Sequence, residues 1–104
     1  MAEFTLDVRK YSPGFTIEME NGYIVSVRFG TGNYCSNRDL DFDPGNFKIG
    51  EQITCKNAEV AIITPEGKVL EPQGYVLPDA ASKAMYFVAL GNIDAALETL
   101  EMVW

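Results

Sequence analysis

The sequence predicts an α+β domain: a small antiparallel sheet of about five to six strands, rich in hairpins, packed with one or two C-terminal helices. Three observations carry this expectation. Apolar and polar residues alternate with period two in residues 3–9 and 15–29, the pattern of half-buried strands. Turn formers, Ser12-Pro13-Gly14, Glu20-Asn21-Gly22 and Thr64-Pro65-Glu66-Gly67, separate the apolar runs. Helical patterning is confined to the residues after Pro78, and strands first with helices last is the order of an α+β chain. At 104 residues, one core can form but not two, so residues 1–104 are read as a single domain.

The first strand is EFTLDVR, residues 3–9, with Phe4, Leu6 and Val8 alternating against Glu3, Thr5, Asp7 and Arg9. The next two form a hairpin. A two-residue Asn21-Gly22 turn would scatter the apolar residues over both faces. A three-residue loop, with Gly22 in the left-handed conformation, instead pairs Met19 with Tyr23, Ile17 with Val25 and Phe15 with Val27. Residues 30–57 then lose all periodicity, broken by Gly30, Gly32, Pro44, Gly45, Gly50 and four asparagines. A stretch of that length without strong elements is often functional when ordered. One short strand near residues 52–55 is expected inside it, with Phe42, Phe47 and Ile49 pinning it to the core. Ala58 to Thr64 is β-branched and apolar enough for a central strand, and Lys68-Val69-Leu70 reads as its hairpin partner. Tyr75-Val76-Leu77 continues the sheet or leads into a helix. That helix starts around Pro78-Asp79, where proline suits the first turn and an acid favours the positive end, and it ends at Gly91-Asn92. A second short helix follows, capped by Asp94, with Leu97, Leu100 and Trp104 on one stripe and Glu98 and Glu101 outside it. Trp104 is expected to dock on the core or on a second subunit, so a homodimer is compatible with the pattern.

Charge narrows the partners. The net charge is −7. Residues 1–56 carry six bases against eight acids, residues 57–104 two bases against seven, and no base follows Lys83. Phosphate-backbone binding needs clustered Lys and Arg, so a direct nucleic-acid partner is not expected, whereas a basic partner fits. No apolar run approaches the roughly 18–20 residues of a membrane span. The N-terminal MAEFTLDVRK carries acids and no apolar h-region. The expectation is a cytoplasmic protein with no membrane association. Cys35 and Cys55 are given no reason to pair in that compartment.

No catalytic set can be named. The chain has no histidine, which removes Ser-His-Asp and Cys-His devices and histidine zinc sites. Two cysteines cannot complete a tetrahedral zinc centre. GTGNYC after a strand begins like a dinucleotide fingerprint, but Cys35 stands where the third glycine is needed and the following residues do not open a helix. Asp39-x-Asp41-x-Asp43 fails as a calcium loop, because Pro44 and Gly50 occupy the positions of the loop glycine and the bidentate glutamate. Neither enzyme activity, cofactor nor metal is expected. What remains is a loop of small and amide residues with one cation: Gly30, Gly32, Asn33, Tyr34, Cys35, Asn37 and Arg38. Its backbone N–H groups and guanidinium could hold an anion.

ENGYIVSVRFGTGNYCSNR, residues 20–38, resembles the shared core of a group of small uncharacterised proteins found on phages and mobile elements. That core has an N-G-x-x-V-S-V pattern followed by aromatic-G-x-G-N-Y-C. AEVAIITPEGKVL and GYVLPDAASKAM are similar to the group's later segments, so the resemblance spans about two thirds of the chain. The group's usual Ser-Pro-Asp-Glu helix start is Leu77-Pro78-Asp79-Ala80 here, a departure that weakens the helix cap and not the fold. The resemblance implies a genetic context rather than a reaction.

Two functions follow as expectations. One is a small acidic protein that binds a host protein, as an inhibitor or nucleic-acid-like decoy acting on a defence system, through Asp39, Asp41, Asp43 or the helix acids Glu98 and Glu101. The other is a protein that binds or sequesters an anionic metabolite or nucleotide through residues 30–38.

Overall fold

The computed structural model describes residues 3–7, 14–29 and 55–101. Five strands, β1 (Glu3–Asp7), β2 (Gly14–Glu18), β3 (Ile24–Arg28), β4 (Ala58–Ile63) and β5 (Gln73–Val76), precede two helices, α1 (Pro78–Ala89) and α2 (Ile93–Glu101). The strands form one open sheet in the order β1-β2-β3-β4-β5, each neighbouring pair antiparallel. The α+β class read from the sequence is therefore the observed one. Of the expected strand at residues 52–55 only Cys55 is described, and it belongs to no strand; the rest of it and the docking of Phe42, Phe47, Ile49 and Trp104 lie outside the described residues.

The β2–β3 hairpin has the register that the alternation demands. Phe15 stands opposite Val27 and Ile17 opposite Val25. Beyond the strand ends, Met19 N donates to the Tyr23 carbonyl at 2.7 Å and Gly22 N to the Met19 carbonyl at 2.9 Å. Gly22 takes φ +87°, a conformation costly for any residue with a Cβ. Gly14 belongs to the strand rather than to a turn before it, and there its lack of a side chain is a packing requirement. A Cβ would lie 2.1 Å from the Val27 carbonyl oxygen on the neighbouring strand.

β4 ends at Ile63 because Thr64 is already committed to the turn. Its carbonyl accepts from Gly67 N at 2.9 Å and its hydroxyl oxygen from Lys68 N at 3.1 Å. The expected partner strand at residues 68–70 is reduced to a single bridge, Val69 opposite Ile63. Pro72 supplies no N–H and keeps Glu71 out of regular pairing, so the sheet resumes only at Gln73. Val60 then faces Gln73 while Ala58 faces Val76. Two residues of β4 are matched by three steps of β5, a bulge with Tyr75 at φ +56°. The extra residue turns Val76 towards the helices, where it is buried.

α1 starts at Pro78 with Leu77 as N-cap and no side-chain cap. It ends as a Schellman motif: Asn92 N donates to the Phe87 carbonyl at 2.9 Å and Gly91 N to the Val88 carbonyl at 3.0 Å. Asn92, not Asp94, caps α2. Its side-chain oxygen accepts from Ala95 N at 3.2 Å and its carbonyl from Ala96 N at 3.2 Å, so Asp94 sits within the first turn. An amide that closes one helix and opens the next leaves no room for a separate capping acid.

The core joins Val25, Val27, Ala58, Val60, Ile62 and Val76 of the sheet to Ala81, Ala84 and Val88 of α1 and Ala96 and Leu100 of α2. All six strand residues lie on one face, since Val25 is opposite Ile62 and Val27 opposite Val60. Alanines at the contact let the helix axes approach the sheet. Each larger side chain buried there contributes about 1.5–3 kcal/mol.

Candidate functional site

Of the residues singled out in the sequence, Gly30, Gly32, Asn33, Tyr34, Cys35, Asn37, Arg38, Asp39, Asp41 and Asp43 lie outside the described residues. Glu98 and Glu101 are described, and both are exposed on α2. Leu100 is buried and Leu97 half-buried on the inner side of that helix. Asp94, also exposed, stands four residues before Glu98 and seven before Glu101, so the three carboxylates share one stripe of α2. The last turn of the helix carries no base.

A second feature was not anticipated. Phe4 stands opposite Ile17 and Leu6 opposite Phe15, which places both β1 residues on the same face as Val25 and Val27. Phe4 is nevertheless 83% and Leu6 73% exposed. Where the sheet emerges from under the end of α1, Phe4, Ile17, Met19 and Ala89 line a hollow of about 290 Å³ with Glu3, Glu18 and Glu20 around it. Glu3 is directly opposite Glu18 in the register, so two carboxylates share the other face of the same strand pair.

A third feature is a groove of about 230 Å³ at the opposite end of α1, between Phe15, Val27 and Val76 of the sheet and Ala81 and Met85 of the helix. Cys55, Asn57 and Ser82 are its polar lining, and Cys55 forms no disulfide. On the face away from the helices, Arg28 Nε donates to the buried Ser26 hydroxyl at 3.2 Å, and Arg28 stands opposite Glu59. Among the described residues, no group of three or more His, Cys, Asp or Glu is placed to hold a metal ion, and no helix is long and apolar enough to cross a membrane.

The sequence contained a signal for the exposed margin. Two helices side by side, roughly 10 Å apart, cover about four strands at about 4.8 Å spacing. Among the described residues a sheet of five therefore has one edge strand outside the helix layer, and β1 alternates Phe4 and Leu6 as though it were covered. Comparison with family models, with curated proteins and with solved structures finds no match to this chain.

Proposed function

We propose that this chain is a small acidic protein of phage or mobile-element type that acts by binding a host protein and so inhibits a defence system. The observation that carries the reading is the stripe of Asp94, Glu98 and Glu101, exposed on a helix whose inner side is held by Leu97 and Leu100. Carboxylates repeated along a rigid helix offer a basic partner surface a fixed array of charge, of the kind that accelerates association and excludes acidic competitors. The balance of two bases against seven acids over residues 57–104 extends that field, and the resemblance of residues 20–38 to a core shared by phage and mobile-element proteins supplies the context.

The test is made in cells that carry a phage-defence system. Expression of the protein raises the plating efficiency of a sensitive phage, and Glu98→Lys with Glu101→Lys removes the effect at unchanged protein level. Equal protection by the reversed variant would remove α2 from the reading, and no protection by the native chain across a panel of defence systems would remove the reading itself.

A further inference from the structure

We propose that Asn21 is a modification site: its side-chain amide deamidates when the end of α1 opens, and the product can no longer hold the helix. Of all the asparagines in the chain, only Asn21 is followed by glycine. Glycine has no side chain to crowd its own amide nitrogen, so ring closure onto the preceding asparagine is least hindered there. In the reaction the Gly22 amide nitrogen gives up its proton and bonds to Asn21 Cγ. The Cγ–Nδ2 bond breaks, and the side-chain nitrogen takes up a proton and leaves as ammonia. Water then opens the five-membered imide. Cleavage of the Cγ–N bond gives aspartate, and cleavage at the main-chain carbonyl gives isoaspartate, in which the chain runs through Cβ and Cγ.

In the closed fold every reacting group is held. Gly22 N, the nucleophile, donates to the Met19 carbonyl at 2.9 Å. Nδ2, the leaving group, donates to the Val88 carbonyl at 2.8 Å, and Oδ1 accepts from Tyr23 N at 3.1 Å. Gly22 keeps φ +87° to close the loop. Reaction therefore waits on a local opening that frees the turn from α1, an event that costs less than global unfolding. Asn21 is exposed, so water for the second step is at hand. Both products oppose reclosure. Aspartate has no Nδ2 donor and sets a carboxylate beside a carbonyl at the negative end of α1. Isoaspartate adds one carbon to the main chain of a loop whose length brings Met19 N to the Tyr23 carbonyl at 2.7 Å. Modification thus turns a reversible opening into a lasting one.

The full chain is incubated near neutral pH, with peptide mass spectrometry following the gain of one mass unit at Asn21 and isoaspartyl methyltransferase labelling the isoaspartate. The same chain unfolded in guanidinium chloride gives the unrestrained rate. The native rate is expected to lie about tenfold or more below it, the factor that about 1.4 kcal/mol of opening supplies. Gly91→Ala strains the φ +81° residue that closes α1, where a Cβ would meet nothing within 4 Å, and leaves the turn itself unaltered. It is expected to speed the native reaction by about fivefold or more. Ile62→Val takes a comparable amount of stability from the core and is expected to leave the rate within about twofold, since local opening does not need the core to open. Should Gly91→Ala fail to fold, Asn92→Ala loosens the same junction by removing the cap of α2, with faster reaction expected. In the deamidated chain, NMR is expected to show the amides of Leu90, Gly91 and Asn92, which donate to the last carbonyls of α1, exchanging about fivefold or more faster than before. A native rate equal to the unfolded one overturns control by the fold. Equal acceleration by Gly91→Ala and Ile62→Val assigns the reaction to global unfolding and overturns the proposal as well. No reaction in the native chain or in Gly91→Ala, while the unfolded chain reacts, removes Asn21 as a site. Unchanged exchange at the end of α1 after deamidation overturns the release of the helix.

Discussion

Asn21 ties the β2–β3 turn to the end of α1: its side-chain Nδ2 donates to the Val88 carbonyl at 2.8 Å, and its Oδ1 accepts from Tyr23 N at 3.1 Å. Both halves of one amide are used, one inside the turn and one across 67 residues of sequence. The Val88 carbonyl belongs to the last turn of α1 and also accepts from Gly91 N at 3.0 Å, so it receives both the helix-closing bond and the bond from the turn. The contact therefore fixes where the helix lies along the sheet.

Asn21→Ala should lower stability by about 1 kcal/mol, the ordinary net value of a hydrogen bond. Asn21→Asp should cost more, because it replaces the donor by a carboxylate beside a carbonyl at the negative helix end. For a domain of this size about 1 kcal/mol corresponds to roughly 4–8 °C in Tm, which thermal unfolding followed by circular dichroism resolves. An aspartate variant as stable as the alanine variant would show that the contact does not hold α1 in place.

The cap assignment separates two neighbouring residues. Asn92→Ala removes the acceptor for Ala95 N and is expected to cost about 0.5–2 kcal/mol. Asp94 is exposed in the first turn and contributes through the helix dipole alone, so Asp94→Ala should cost roughly 0.3–1 kcal/mol at low salt and less at high salt. Urea unfolding of both variants at two salt concentrations checks the order.

The strand register was legible because period two and one glycine conformation agree. Phe15, Ile17, Val25 and Val27 fall on one face only if the loop has three residues, and Gly22 is the residue that can close it. The last strand was legible only in part: Tyr75-Val76 as a continuation of the sheet was one of two readings, and the bulge was in neither. Its bulge depends on Val76 meeting Ala58 across the sheet, a tertiary gain that outweighs the left-handed backbone of Tyr75, and no local pattern announces it. The second helix cap was missed for a similar reason, since Asn92 takes part in both helices and each motif alone points to a different residue. The exposed position of Glu98 and Glu101 on α2 was readable from helical spacing. The exposure of Phe4 and Leu6 needed the width of the helix layer as well as the alternation.

Two turn glycines with nearly the same φ separate strain from contact. Gly22 has φ +87° and Gly67 φ +88°. A Cβ at Gly22 would lie 3.2 Å from the Pro65 Cβ, whereas one at Gly67 would meet nothing within 4 Å. Gly67→Ala should therefore cost about 1–2 kcal/mol, the conformational term alone. Gly22→Ala should cost more, by whatever Pro65 adds. Equal losses in chemical denaturation would mean that the Pro65 turn gives way without penalty.

The two functional readings differ in which charge they use and in how salt acts on them. If residues 30–38 hold a small anion, Arg38 supplies the charge and backbone N–H groups the direction. Arg38→Ala then abolishes binding of an anionic metabolite, with little loss of stability. If instead the acids form the contact, Arg38→Ala has little effect. Reversing Glu98 and Glu101 then slows association with a basic partner, because steering charges act mainly on the on-rate. Raising salt weakens that complex further, since exposed charges are screened over about 8–10 Å near physiological ionic strength. The acidic stripe on α2 favours the second outcome. Stopped-flow association rates across a salt series, measured for both variants, decide between them: a salt-insensitive complex with a small anion, lost on Arg38→Ala, would overturn the protein-binding reading.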